Sequence, residues 1–316
     1  MGFPITDKFV IAVSASALFD TAKEDRIFSE EGVDSYKKYQ KEHEGDIYER
    51  GVAFPFIQKF LKLNEVLDGQ PVEVVLFTRN SPDLGIRIME SIKHYRLNIS
   101  RAHFSSGEYN YQYLPSFNAC LFLSANPEHT RAAMKEGFAA GTVIKTDIQD
   151  EFSDSHDGEL RFAFDFDGVI ADDASEKRHK DNDEQLDKYF ENENKDARTP
   201  LQEGPLHNLI LQIAKLQELE KQKYEQDHSY KKLIKTAIVT ARNAPADERV
   251  ITTLRDFHVS VDQAFFMGGI DKSRVLNIMR PHIYFDDDRR NLQNLENVVA
   301  VHIPYGVLNE DGGSAN

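Results

Sequence analysis

Two aspartates stand two residues apart at the end of an apolar run, LRFAFDFDGV: Asp165 and Asp167. On a strict strand both side chains project from one face, and Gly168 then lets the chain turn away. Carboxylates at the C-terminal end of a parallel strand stand where open α/β sheets place their ligands. A D-x-D-G run also opens calcium loops, but this one follows an apolar strand and the later loop positions are not filled. Farther on, Thr240 closes the run KTAIVT and precedes Ala241 and Arg242, Lys272 lies in GIDKS, and Asp286, Asp287 and Asp288 close HIYFDDD. A few such acids can hold a divalent cation, which can then receive an anionic substrate.

Short apolar strands alternate with amphipathic helices through the chain, the pattern of an α/β fold with a mainly parallel sheet. Strands are predicted over residues 9–15, 72–78, 119–124, 141–144, 160–166, 235–240, 282–286 and 297–303. Ser81-Pro82 and Asn126-Pro127 each read as a helix start. The polar, acidic stretch 147–159 reads as a linker between residues 1–146 and residues 160–316. An insertion over about 172–230 separates the first two strands of the second part. It opens with a charged stretch to residue 204, placed to form a lid or else a charged surface excursion.

The net charge of −15 argues against a nucleic-acid binder, which needs a basic face. No apolar run approaches the roughly 20 residues that cross a bilayer, so no membrane partner is expected. The single cysteine, Cys120, lies in the apolar run ACLFL and excludes an internal disulfide framework. It suits a reducing compartment, so the expected location is cytoplasmic. A homo-oligomer is compatible with the sequence, which does not decide it.

The two parts repeat each other. Sliding the chain by 162 residues lays Thr78 on Thr240, Phe104 on Phe266, Gly107 on Gly269 and LFLSA (121–125) on IYFDD (283–287). The first strands match at a shift of 151, IAVSASAL (11–18) over FAFDFDGV (162–169). Apolar matches are expected of any two α/β halves; the polar mismatches are more informative. Ser14, Ser16, Asn110, Ser124 and Ala125 occupy the places of Asp165, Asp167, Lys272, Asp286 and Asp287. An active domain paired with an inert copy of itself should look like this.

The ordered set DFDGV, VTAR, Lys272 and FDDD resembles the four motifs of the haloacid-dehalogenase (HAD) type phosphatases. With AVSASALFD, EHEGD, GVAFPFIQ, SIKHYRLNI, YLPSFNACLFLSA and VAVHIPYGV, the text from residue 9 to residue 307 resembles the cytosolic 5'-nucleotidase type I family. The resemblance implies two Rossmann-like HAD-type halves, the first degenerate and the second catalytic with a small cap insertion. It also implies phosphomonoester hydrolysis through an aspartyl phosphate. Asp165 would be the nucleophile and Asp167 the acid and base, with the Asp167 carbonyl facing the metal. The Thr240 hydroxyl and nearby N–H groups, Ala241 included, would bind phosphate, and Lys272 would neutralise it. Of Asp286 and Asp287, one would ligate the metal and the other would orient Lys272, with Asp287 favoured as the direct ligand. Mg²⁺ is the expected ion, because the ligands are oxygens shared with phosphate and water.

The implied substrate is a nucleoside 5'-monophosphate, AMP first. For the nucleoside, Phe166 either shapes the pocket or packs behind its strand, and Arg242 either contacts phosphate or caps the next helix. Tyr189 in the insertion, and Tyr109 and Tyr111 in the loop SSGEYNYQYL, are candidates to stack on a base. Two alternatives stay open: another small phosphomonoester as substrate, or a catalytically silent nucleotide-binding protein.

Overall fold

The computed structural model describes residues 4–146, 158–175, 177, 192–193, 195–244 and 246–309. The chain divides into two compact units, Met1–Lys145 and Thr146–Asn316. The first holds β1 (Phe9–Val13), β2 (Val72–Thr78), β3 (Arg101–Phe104), β4 (Ala119–Ser124) and β5 (Ala140–Ile144). Their order is β3-β2-β1-β4-β5, with each neighbouring pair parallel. Between β1 and β2 come α1 (Ala15–Leu18), α2 (Ala22–Glu31), α3 (Val33–Glu42) and α4 (Phe54–Val66); α5 (Ile86–His94) and α6 (Pro127–Lys135) follow. All residues of β1 and β2 are buried, as continuous apolar runs must be in a parallel sheet covered on both faces.

The second unit holds β6 (Leu160–Phe164), β7 (Ile234–Thr240), β8 (Gln263–Phe266), β9 (Ile283–Asp286) and β10 (Val299–His302). Its order, β8-β7-β6-β9-β10, is that of the first unit, and its pairings are again parallel. Helices α7 (His207–Gln226), α8 (Asp247–Asp256) and α9 (Ser273–Met279) lie between its strands in sequence. The shared topology extends to residue register. Val13 pairs with Leu76 and Leu123, and Phe164, 151 residues on, pairs with Ile238 and Phe285, each 162 residues on. Thr78 pairs with Phe104 as Thr240 pairs with Phe266. The offsets read from the sequence are therefore offsets between equivalent strand positions.

Two strands of the structure, β3 and β8, have no counterpart in the sequence reading. Each has four residues at the outer edge of its strand order, with no buried position. Half-exposed edge strands carry little of the apolar signal by which strands are recognised. Asn126 does start α6, its side chain accepting from the Glu128 N–H at 2.8 Å with Pro127 at the first turn. Ser81-Pro82 instead starts a short 3₁₀ turn, Pro82–Leu84, and α5 begins only after Gly85.

Candidate active site

The site lies at the C-terminal ends of β6, β7 and β9. Asp165 is still in sheet register: its N–H donates to the Phe285 carbonyl at 2.8 Å. One carboxylate oxygen accepts from the Phe166 N–H at 2.6 Å, and the other meets Lys272 Nζ at 2.6 Å. Lys272 stands just before α9, only 2% exposed, and also donates to Asp286 at 2.9 Å. This is no solvated surface lysine. Burial opposes its charge, but Asp165 and Asp286 outweigh that and raise the ammonium above its usual value. Asp165 is pushed up to about 7, first by burial and then by Asp286, with Lys272 pulling the other way.

The two acids ending β9 have different surroundings. Asp286 Oδ2 accepts from Lys272 and from the Tyr284 hydroxyl, and Oδ1 accepts from the Asp288 N–H at 2.8 Å and Asn291 Nδ2 at 3.1 Å. Four donors fill the acceptor capacity of a carboxylate, so Asp286 is committed to Lys272 and its other neighbours. Asp287 lies against Gly168, where a Cβ would come within 2.5 Å of its Oδ2. Its backbone carbonyl is held by His302 Nε2 at 3.0 Å and Asn309 Nδ2 at 3.1 Å. Asp165, Asp286 and Asp287 each offer an oxygen, and these atoms lie within 4.8 Å of one another. An all-oxygen set of this size fits Mg²⁺. A side chain at Gly168 would displace Asp287 from this set.

Residues 1–310 of the 316 match the family model described as 5'-nucleotidase. The chain belongs to the 5'-nucleotidase family. It is similar to human cytosolic 5'-nucleotidase 1B, with 32% identity over 298 residues. That match covers 92% of this chain and 48% of the relative, so the chain spans about half the length of the curated relative it matches. No solved structure matches the chain.

Within this 5'-nucleotidase family member, several candidate residues sit where the sequence did not put them. Arg242 binds two carboxylates and also reaches Ala246, the cap residue of the next helix. Its guanidinium grips Asp167 with Nε and Nη2, both at 2.7 Å, and Nη1 bonds Glu193. A weaker bond from Nη1 to the Ala246 carbonyl at 3.3 Å keeps the loop before α8 in place. Phe166 is fully buried, as its packing reading expects, and its ring lies 5.8 Å from the Arg242 guanidinium. Tyr111 is no stacking platform either. It is buried in the first unit's core beside Phe77 and Phe122, because the tyrosine loop turns inward at this position. Tyr109 is exposed, with the Arg79 guanidinium 4.0 Å from its ring centre. Tyr189 lies outside the described residues.

Thr240 is buried and its Oγ1 accepts from the Arg242 N–H at 3.2 Å, leaving the hydroxyl proton to be donated. Ala241 beside it is exposed. Asp288 spends its carboxylate on the Arg290 N–H and guanidinium rather than on the acid cluster. Tyr284, Asn291 and Glu193 were missed. Tyr284 was readable in retrospect, since it precedes Asp286 by two on the same strand and so shares its face.

Proposed function

We propose that this chain is a Mg²⁺-dependent 5'-nucleotidase that hydrolyses nucleoside 5'-monophosphates, AMP foremost, in the cytoplasm. The second unit is then the HAD-type catalytic half with a cap insertion, and the first is its degenerate copy. One observation carries the reading: Asp165, Lys272 and the Asp286–Asp287 pair converge at the strand ends of a chain that belongs to the 5'-nucleotidase family.

The chain's own groups divide the work. Asp165 attacks phosphorus as its P–O bond to the ribose oxygen breaks, forming an aspartyl phosphate. Lys272, held by Asp286, offsets charge on the phosphoryl oxygens. The Thr240 hydroxyl donates to the same oxygens. Asp167 gives a proton to the departing oxygen, then takes one from the water that attacks the aspartyl phosphate and releases inorganic phosphate. Asp165 and Asp287, with the Asp167 carbonyl, would hold the Mg²⁺, and Asp286 would back them from the second layer. When bound, the ion supplies charge that draws electrons from the phosphoryl oxygens.

The test is phosphate release by the purified chain from a panel of nucleoside monophosphates and sugar phosphates, with Mg²⁺ and with EDTA. Release fastest from AMP and abolished by EDTA is the expected result. A sugar phosphate as best substrate would overturn the substrate class, and no release from any member would overturn the enzyme.

A further inference from the structure

Asp167, the proposed acid and base, ends an alternating line of buried charges. Arg242 binds both its oxygens, Glu193 binds Arg242, and Arg249 donates to Glu193 Oε1 at 2.9 Å. The Ser175 hydroxyl donates to the same Glu193 oxygen at 2.7 Å, and Arg249 is anchored by a 2.9 Å bond from Nε to the Thr199 carbonyl. All four ionic side chains are at most 9% exposed. Two acids and two bases cancel in net charge. Desolvating all four is costly, and apolar residues of the same shape would stabilise the unit as well. A buried ionic line earns its place by fixing geometry.

We infer that Glu193 is a positioning residue, holding Arg242 so that Arg242 holds Asp167 where it can exchange a proton with the leaving oxygen. This rests on the phosphatase reading of the site. The guanidinium is planar and grips a carboxylate side-on, so its orientation dictates that of Asp167. Each Asp167 oxygen keeps a second acceptor direction for the reacting proton. Arg242 is set in turn by Glu193, whose own carboxylate is fixed from the far side by Ser175 and Arg249. Glu193 and Ser175 both belong to the insertion between β6 and β7, so the proton-transfer group takes its alignment from that segment.

The inference has a signature that mere stabilisation lacks. Expelling a ribose 5'-oxygen requires a proton, whereas p-nitrophenolate leaves without one. Misplacing Asp167 therefore slows formation of the aspartyl phosphate from AMP and spares its formation from p-nitrophenyl phosphate; the later attack of water is common to both, so the contrast is read in kcat/KM, which ends at the first irreversible step. Glu193→Gln keeps the shape and removes the charge. Its kcat/KM on AMP should fall by about tenfold or more, a fraction of what a positioned acid contributes. On p-nitrophenyl phosphate kcat/KM should stay within about threefold of wild type. Equal loss on both substrates, or no loss on either, overturns the inference. Wild-type protein inert on both substrates refutes the phosphatase reading instead. Should Glu193→Gln fail to fold, Ser175→Ala removes one bond from Glu193 and must lower the AMP to p-nitrophenyl phosphate ratio of kcat/KM by about two- to threefold. An unchanged ratio there overturns the inference as well.

Discussion

Gly168→Ala tests whether Asp287 is the direct metal ligand. The φ of Gly168 is +69°, a conformation that costs an L-residue roughly 1–2 kcal/mol. The new methyl would also arrive 2.5 Å from Asp287 Oδ2 and 2.7 Å from its Cγ, so the carboxylate must retreat by roughly 1 Å to restore van der Waals contact. Its backbone cannot follow easily, because His302 and Asn309 hold the Asp287 carbonyl. A displacement of that size at a reacting centre is worth about a hundredfold in rate, and disturbed ligands weaken metal binding by roughly tenfold or more. The assay is phosphate release against Mg²⁺ concentration, with the Mg²⁺-dependent shift in melting temperature as a readout independent of turnover. Gly69→Ala supplies the control: its φ is +80° and nothing lies within 4 Å of its would-be Cβ. The control should lose only the roughly 1–2 kcal/mol of stability that backbone strain costs and keep full activity. A folded Gly168→Ala protein with wild-type rate and unchanged Mg²⁺ half-saturation would refute the assignment of Asp287.

Asp165→Asn should abolish turnover while circular dichroism stays native. Ser14→Ala, at the equivalent place in the first unit, should cost about 1 kcal/mol, since the Ser14 hydroxyl accepts from the Ala17 N–H at 3.1 Å as a helix cap, and the rate should stay near wild type. A large loss of rate from the Ser14 change would sink the division into active and inert halves. Tyr284→Phe deletes a buried donor to Asp286, so urea denaturation should show a loss of about 1–3 kcal/mol, accompanied by a lower kcat as Lys272 loses its fixed partner. His129 is held neutral in the fold, pushed down to about 4 by burial and then by Arg79, against about 6.5 unfolded. The unfolded chain binds the extra proton between those values, so this contribution to stability is present at pH 7 and is lost as pH falls from about 6.5 towards 4. On the order of 2 kcal/mol is at stake after allowing for the ring's partial exposure. His129→Asn should flatten that part of the profile in urea titrations at pH 7 and pH 4.5; an identical slope in the variant would contradict the assignment.

Most of the strand framework was legible because parallel strands buried on both faces are runs of apolar residues. That signal failed only at β3 and β8, where the edge position removes the need for it. The catalytic candidates in the second unit were legible because strand ends and spacing fix where Asp165, Thr240, Lys272 and Asp286 must fall. Arg242 and Glu193 were not. Their partners lie 75 and 49 residues apart in sequence, and spacing says nothing about a contact closed by the fold of an insertion. Tyr111 was misread for a related reason. Alternation of Tyr with polar residues in SSGEYNYQYL shows that a loop is amphipathic, but the loop's own turn decides which ring goes into the core.

The repeat also separates what folding requires from what chemistry requires. In both units the Thr at the end of the second strand accepts, through its side chain, from the N–H two residues on, at 3.3 Å for Thr78 and 3.2 Å for Thr240. The next carbonyls are used alike: Ser105 and Met267 donate to the two Thr carbonyls, Ser106 and Gly268 to those of Asn80 and Arg242. A Thr kept in the first unit is thus explained by the turn it closes, and its presence alone is no sign of phosphate binding. What differs is the charge around it. Asn291 donates to Asp286 in the second unit. His129 stands at the matching place in the first, beside Ser124 and bonded to Arg79, while the same arginine donates to the Gly107 carbonyl. With Asp286 replaced by Ser124 and Lys272 by Asn110, the first unit has no carboxylate–ammonium pair at these positions. Its arginine satisfies a backbone oxygen and a neutral imidazole instead. The same backbone turn is kept with and without the charged groups, because strand pairing and turn closure depend on it in both units.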